Sequence, residues 1–425
     1  MYYEEPAKKI PLCESFDLIV VGSGPSGIAA AVAAGRRGTK TLLIEAQGTV
    51  GGIATSGMMS AFGGLCDSAL FREILDRMDR ENRFPTEEKN GIDPEVLKSI
   101  CFDMLDEAGV TVLLYTFACD VIRDGNTVKG VIVENKSGRS AYTAKVVIDC
   151  TGDGDVAARA GVPFCLGRET DHKMQPATLM FKVAGVDMAR AVLPGGFETL
   201  VYTEKGELQA LAKEKLPHPA GHVLLYRSPI PGIITCNMTN ATDIDGTSAE
   251  DLTRAEKVCR SQIGPIVAFL REYAPGYENC YPIGSASLIG IRETRHFEGA
   301  CTVTEKDILE ARQFDDAVVF DAYFNFDVHN LTGASLDETG CQEKFPQKKG
   351  YTIPYGCMLP KEIDGLLLSG RNISGTHMAH SNYRVMPICI GIGEACGTAA
   401  SLAIAGNIQL RQVPVTEIRK ALGHK

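Results

Sequence analysis

Residues 16–52 constrain this chain more than any other stretch. Asp17–Val21 is short, apolar and β-branched and halts at Gly22, the pattern of a buried strand. Gly22-Ser23-Gly24-Pro25-Ser26-Gly27 then sets a G-x-G-x-x-G spacing. An alanine-rich run from Ile28 to Ala34 reads as the first turns of a helix, and a second strand over Thr41–Ile44 ends on Glu45. Each part has a physical task. Gly22 permits a tight strand-to-helix turn, Gly24 lets backbone approach a pyrophosphate, and Gly27 lets the helix lie close on the strand. Pro25 and Ser26 open the helix, whose free N–H groups and positive dipole end face the phosphates. A carboxylate at the tip of the second strand accepts hydrogen bonds from ribose hydroxyls. The stretch therefore predicts a β-α-β unit that holds a dinucleotide.

Gly51 and Gly52 follow Glu45 and Ala46 in an E-x5-G-G pattern. With the upstream glycines this resembles the FAD-binding signature of the glutathione-reductase-like flavoprotein superfamily, in which the trailing glycines carry the chain past the phosphates toward the flavin ring. NAD domains do not usually continue this way, so the expected cofactor is FAD. The resemblance implies further contacts: Ala54 and Thr55 beside the flavin within the glycine-rich run 51–65, the backbone of Cys119 near the adenine, and Thr151 and Gly152 at the end of a later strand. Thiol-disulfide reductases of that superfamily carry a C-x4-C pair just after the glycine pair. This segment has no cysteine before Cys66, which excludes that group.

The 425 residues are 44% hydrophobic and 23% charged, ordinary for a globular chain long enough for two domains. A formal net charge of −10 argues against nucleic acid as a partner, because no basic stripe is present to neutralise phosphates. No uninterrupted apolar run reaches about 18 residues, so no membrane span is expected. The N-terminus lacks the basic start and apolar core of a signal peptide. The fourteen cysteines form no C-x-x-C pair, and several (Cys101, Cys150, Cys389, Cys396) sit in apolar runs where a thiol acts as a small hydrophobe. The expectation is a reducing cytoplasm, with neither a zinc or iron–sulfur centre nor a disulfide framework.

Further along, amphipathic helices are predicted over Phe71–Glu81 and Pro94–Glu107, the second capped by Asp93 and stopped by Gly109. Val110–Tyr115 reads as a strand. A meander follows over Asp120–Arg123, Val128–Glu134 and Ser140–Tyr142, with turns at 124–126 and 136–138. Lys145–Cys150 is a buried strand. Its sequel Gly152-x-Gly154-x-x-Ala157 is not followed by an acidic-tipped second strand, so no separate NAD(P) domain is expected. Residues 165–345 carry fewer signals beyond breaks at 194–196, 229–232 and 275–276 and a long amphipathic helix over Glu250–Tyr273. Strands over Tyr351–Pro354 and Gly365–Gly370 precede a small-residue helix from Gly391 to Ala400. Gly391 and Ile392 are expected at its N-terminus, where the dipole stabilises negative charge on the flavin pyrimidine. The predicted fold is α/β: a discontinuous Rossmann-like FAD-binding domain (1–164 and 346–425) with an inserted α+β substrate-facing domain (165–345).

Three stretches (151–161, 290–309 and 353–400) together resemble the FAD-dependent oxidoreductases related to the fumarate reductase and succinate dehydrogenase flavoproteins. The likeness covers most of the chain except about 190–280. Within it, His380-Ser381-Asn382-Tyr383-Arg384 stands where the dicarboxylate enzymes have H-G-A-N-R, whose His and Arg hold a substrate carboxylate beside the flavin. A guanidinium grips a carboxylate through two parallel hydrogen bonds, and an imidazole can move a proton near neutral pH. His377, His380 and Arg384 are spaced to share one side of a helical turn. Arg292, which with Arg295 brackets Glu293, is a further candidate. Gly370-Arg371-Asn372 replaces the G-D of many flavoproteins, so Arg371 or Asn372 must serve the ribityl hydroxyls. The surrounding residues are not those of a dicarboxylate enzyme, which leaves the substrate as a small polar or carboxylate-bearing molecule. The expected reaction is hydride transfer between that molecule and N5 of non-covalent FAD, with an unidentified electron donor or acceptor. In it His380 or His377 handles the proton and Arg384 anchors the substrate. Two alternatives stand beside it: a flavin-bearing subunit that relays electrons to a partner chain, and a flavoenzyme without net redox turnover (isomerase or lyase).

Overall fold

In the computed structural model, which describes residues 3–81, 90–336 and 347–424, the two ends of the chain build one sheet. β1 (Leu18–Val21) and β2 (Thr41–Ile44) are buried along their whole length. That is what continuous apolar runs such as LIVV demand of parallel strands covered on both faces. The five strands run parallel in the order Leu366–Leu368, Val146–Asp149, β1, β2, Thr111–Leu113. The strand nearest the C-terminus therefore completes one edge, and the expected discontinuous Rossmann-like α/β unit is present. The meander forms a separate sheet of Phe117–Asp124, Thr127–Asn135 and Gly138–Thr143. Asp93 caps Pro94–Glu107 by accepting from the N–H groups of Glu95 and Val96.

α1 (Pro25–Gly35) and the long helix Met386–Gly406 cover the same face of the sheet, and small residues decide how closely. A Cβ on Gly393 would strike the Ser26 carbonyl oxygen, and one on Gly397 would strike that of Ala30. Two hydrogen bonds lock the layers, Ser26 Oγ to Ser369 Oγ at 2.6 Å and Thr39 Oγ1 to Ser401 Oγ at 2.8 Å. Among the described residues Met386–Gly406 is the one helix long and apolar enough to cross a membrane. Most of it is buried within the fold, and Glu394 in its middle accepts from Ser68 Oγ at 2.6 Å. It is a core helix of the fold.

This helix begins at Met386, which corrects one expectation. Gly391 and Ile392 lie in its second turn, where backbone N–H groups bond back along the helix. A Cβ on Gly391 would meet the Cys66 sulfur. The donors at the helix start are those of Met386 and Ile388, since Pro387 has none and Cys389 donates to Val385 O.

The inserted region holds a four-stranded antiparallel sheet in the order Leu225–Arg227, Ile234–Cys236, Phe181–Ala184, Tyr281–Ser285. It and the helix Ala249–Tyr273, capped by Ser248, share a core distinct from that of the nucleotide sheet. The block expected at 165–345 is not uniform. Phe297, Val303, Ile308, Val319 and Phe326 pack into the nucleotide-side core, and Ala317–Tyr323 pairs with both Tyr351–Pro354 and Leu65–Asp67. This part of the block, expected to face the substrate, is instead buried as a support for the C-terminal helix. The boundary at 345/346 lies outside the described residues.

Candidate functional site

The phosphate loop is assembled by contact rather than by side chains. Gly22 sits at φ +95°, and a Cβ there would hit the Cys150 carbonyl. A Cβ on Gly27 would collide with the Gly22 carbonyl oxygen, so the helix can approach the strand only with glycine at both places. Gly24, the residue before α1, differs: its φ of −64° suits any residue, and a Cβ would have nothing within 4 Å. Its requirement is space for something else. α1 has no side-chain N-cap and no acidic residue in its first turn, which leaves its positive end to an anion.

Glu45 closes the loop from β2. Its Oε2 accepts from Ser23 N and Ser23 Oγ, both at 2.7 Å, and its Oε1 from Gln47 N at 2.7 Å. Ala46 beside it is exposed. Gly51 donates to Ser23 O at 2.8 Å, and a Cβ on Gly52 would stand 2.9 Å from the Gly24 Cα, so the trailing glycine pair presses against the phosphate loop. Ala54 and Thr55 are buried just after it, with Thr55 Oγ1 bonded to Val50 O at 2.6 Å. Cys119 lies at a break in the ladder of the meander, and its carbonyl accepts from Arg159 Nε at 2.9 Å.

The strand Val146–Asp149 brings Thr151 and Gly152 to the same end of the sheet. Asp149 accepts from Thr151 N, Thr151 Oγ1 and Ala157 N, yet burial pushes its carboxyl up to about 6. Arg371 lies over Gly152 with Nη2 on Asp153 Oδ1 at 2.7 Å, and Asn372 donates to Asp149 O at 3.0 Å. Arg371 Nε and Asn372 Oδ1 are buried with no partner. A donor and an acceptor left unpaired in a fold interior are costly unless a ligand completes them. One of each is what hydroxyl groups accept and donate to, so these residues fit the cofactor's ribityl chain.

A second cluster was only half visible in the sequence. Glu293, flanked by the two arginines, has its carboxylate fully enclosed. Its Oε1 accepts from His296 Nε2 at 2.7 Å and His377 Nδ1 at 2.5 Å, its Oε2 from Gln175 N at 3.1 Å. Burial alone would raise its pKa, but the two imidazole hydrogen bonds outweigh that and hold it well below the usual carboxylate range. His380 is buried against His296 and Tyr383 with ring centroids 4.9 and 5.6 Å away, and its Nδ1 has no partner. Ligand-type atoms of Glu293, His296 and His380 lie within 4.8 Å of one another, a spacing a metal ion could also use. Here the carboxylate is already engaged by two imidazoles. The helical spacing placed His377 and His380 on one helix, His377–Tyr383, with Arg384 at its end. Arg384 differs from expectation: its Nη2 is held by Asp327 Oδ2 at 2.8 Å, so its charge is balanced within the chain. Arg292 is buried and donates from Nη1 to Pro176 O and Thr178 Oγ1 at 2.6 and 2.8 Å. Sequence reasoning missed Glu293, His296, Asp327 and His329. The i,i+3 spacing of Glu293 and His296 was the available signal.

Burial sets the acid behaviour of this region. It pushes His222 down to about 3 and His329 down to about 4, and lowers His380 well below the ordinary histidine range. These rings stay neutral in the fold but take up protons near pH 6.5 once unfolded. Their stabilisation is therefore complete above pH 6.5 and drains as pH falls toward 4. Asp149, raised, works in the opposite sense between pH 4 and 6. Three lowered imidazoles outweigh the one raised carboxyl, so on balance stability falls as pH drops below 6. Melting temperature should be flat from pH 7.5 to 6.5 and fall steeply below 6, and His222→Gln should flatten the slope. A flat profile down to pH 4.5 would contradict this account.

Comparison with known proteins agrees with the cofactor reading. The profile of the family described as "FAD dependent oxidoreductase" matches residues 17–422. A dihydrolipoyl dehydrogenase of Rhizobium etli is 30% identical over 165 residues, 33% of each chain. A digeranylgeranylglycerophospholipid reductase 1 of Methanococcoides burtonii is 23% identical over 43% of this chain and 50% of its own. This chain thus spans half or less of these relatives' length. Among solved structures, the flavin-dependent brominase Bmp2 superposes with a TM-score of 0.50 at 14% identity over 96% of this chain and 84% of its own. The anhydrotetracycline hydroxylase OxyS of Streptomyces rimosus gives 0.50 at 13% identity over 96% and 65%. These likenesses are of fold.

Proposed function

Because the chain belongs to the FAD-dependent oxidoreductases, we propose that it oxidises or reduces a small polar or carboxylate-bearing molecule. When bound, FAD supplies the two-electron, hydride-level chemistry. The chain's residues do the rest. Glu45 and the opening of α1 receive the ribose and phosphates, and Arg371 Nε with Asn372 Oδ1 receive the ribityl hydroxyls. The substrate lies among the run 51–65, the segment 287–293 and the helix His377–Tyr383. Arg384, oriented by Asp327, is a directed donor to the substrate. His380 handles the proton: burial keeps it neutral, and its Nδ1 is uncommitted. The kinship with dicarboxylate enzymes rests on the 380–384 motif, and the thirteen described cysteines, all free, support a reducing cytoplasmic setting.

One observation carries this reading: a single short helix brings His377, His380 and Arg384 into contact with Glu293, His296 and Asp327, then leads into the helix that rests on α1. The test is anaerobic photoreduction of the FAD-loaded protein followed by a panel of keto and unsaturated carboxylic acids. At least one should restore the oxidised spectrum catalytically, and Arg384→Ala should keep its yellow colour while losing about 100-fold or more in turnover. Reoxidation by a protein partner alone would overturn the reading in favour of an electron relay.

A further inference from the structure

Arg292 is the least compensated charge in this region. It is 8% exposed, and among the described residues it has no carboxylate in salt-bridge contact; its bonds go to two neutral oxygens. The acid whose charge it senses, Asp327, is engaged by Arg384 and His329. A guanidinium withdrawn from water without a counter-ion is costly and persists where a ligand supplies the charge. Beside the inserted sheet, His222 and Tyr226 lie close enough to feel the Arg292 charge, and His222 Nε2 is 3.1 Å from Asn237 O. This group is also incomplete: His222 Nδ1 and Asn237 Oδ1 are buried and unpartnered, and Tyr226 Oη stands 3.5 Å from Asn237 Nδ2. The segment carrying Arg292 borders the glycine-rich run. Ser287 N donates to Ser56 O at 3.0 Å, and a Cβ on Gly290 would stand 3.6 Å from Ile53 Cδ1.

We propose that Arg292, rather than Arg384, is the anion anchor of the substrate site. Its ligand is the carboxylate of a small organic acid whose second hydrogen-bonding group reaches His222, Asn237 and Tyr226. The proposal rests on the preceding reading for where the site lies, and not on which reaction occurs there. The planar fork of a guanidinium matches a carboxylate bidentately, and a single such group meets its single charge. A phosphate would bring more charge than one guanidinium balances.

The test titrates the FAD-loaded full chain with glycolate (a monoanion whose hydroxyl can donate to Asn237 Oδ1), acetate and inorganic phosphate, followed by the flavin absorbance and the melting temperature. Glycolate should bind saturably, more tightly than acetate or phosphate. Arg292→Met should weaken glycolate about 10- to 100-fold, the loss expected of a charge-assisted hydrogen bond. The same variant should melt at or above the wild-type temperature, because a buried uncompensated charge gives way to an apolar chain of similar length. A merely structural arginine would lower it. Arg292→Lys, which keeps the charge and loses the fork, should bind with intermediate strength. Unaltered glycolate binding in Arg292→Met, no acid bound by the wild type, or phosphate preferred over glycolate would each overturn the proposal. If no acid reoxidises the reduced protein while Arg292-dependent binding persists, the redox reading falls and this one stands.

Discussion

Gly24→Val should give a folded, soluble and colourless protein. The glycine has ordinary extended backbone angles, and a Cβ there would have nothing within 4 Å, so the isolated chain should lose little by the change. That open volume is where the pyrophosphate must approach the start of α1, and three added carbons would fill it. FAD affinity should drop by at least about 100-fold, read from flavin retained on desalting, with the melting curve of the apoprotein moved by less than about 1 kcal/mol. Gly27→Ala is the control with the opposite outcome. There a single methyl meets the Gly22 carbonyl oxygen, and the apoprotein itself should be destabilised, in keeping with the cost of overpacking, about 1–3 kcal/mol or more. If Gly24→Val retained the cofactor, the phosphate site would have to lie elsewhere.

Removing Glu293 should be the most damaging single change outside the nucleotide loop. Its carboxylate is enclosed and takes hydrogen bonds from His296, His377 and the Gln175 backbone, thereby tying the inserted segment to the helix His377–Tyr383. Glu293→Ala leaves those donors buried without a partner, a loss of about 3–5 kcal/mol on the scale of broken buried ion pairs. Chemical denaturation would show it as a lower midpoint at unchanged slope. Glu293→Gln should lose less, since the oxygen that both imidazoles address is retained. A Glu293→Ala protein within about 1 kcal/mol of wild type would mean that the cluster is incidental to the fold. A chelator should leave wild-type stability unchanged, because the imidazoles are held by a carboxylate.

The parts legible in the residue order are those whose physics is local. LIVV, TLLI and LLL can only be strands buried on both faces, and the spacing of Gly22, Gly24 and Gly27 sets a turn whose sterics do not depend on the rest of the molecule. Asp93-Pro94 starts a helix wherever it occurs, and His377, His380 and Arg384 share a helix by period alone. For that reason the dinucleotide loop, the Rossmann-like sheet and the helical histidines could be read directly, while FAD itself came from the resemblance carried by the E-x5-G-G pattern. Tertiary packing decided the rest. Gly391 and Ile392 look like a helix start because small residues cluster there, yet Met386 opens the helix once that stretch is buried against α1. Arg292, Glu293 and Arg295 are indistinguishable as a string. The fold enclosed Glu293 between two imidazoles, set Arg295 against Asp155, and left Arg292, among the described residues, without a salt-bridge partner. Desolvation depends on what lies within a few ångströms in space, and for these charges that is chain from about a hundred residues away.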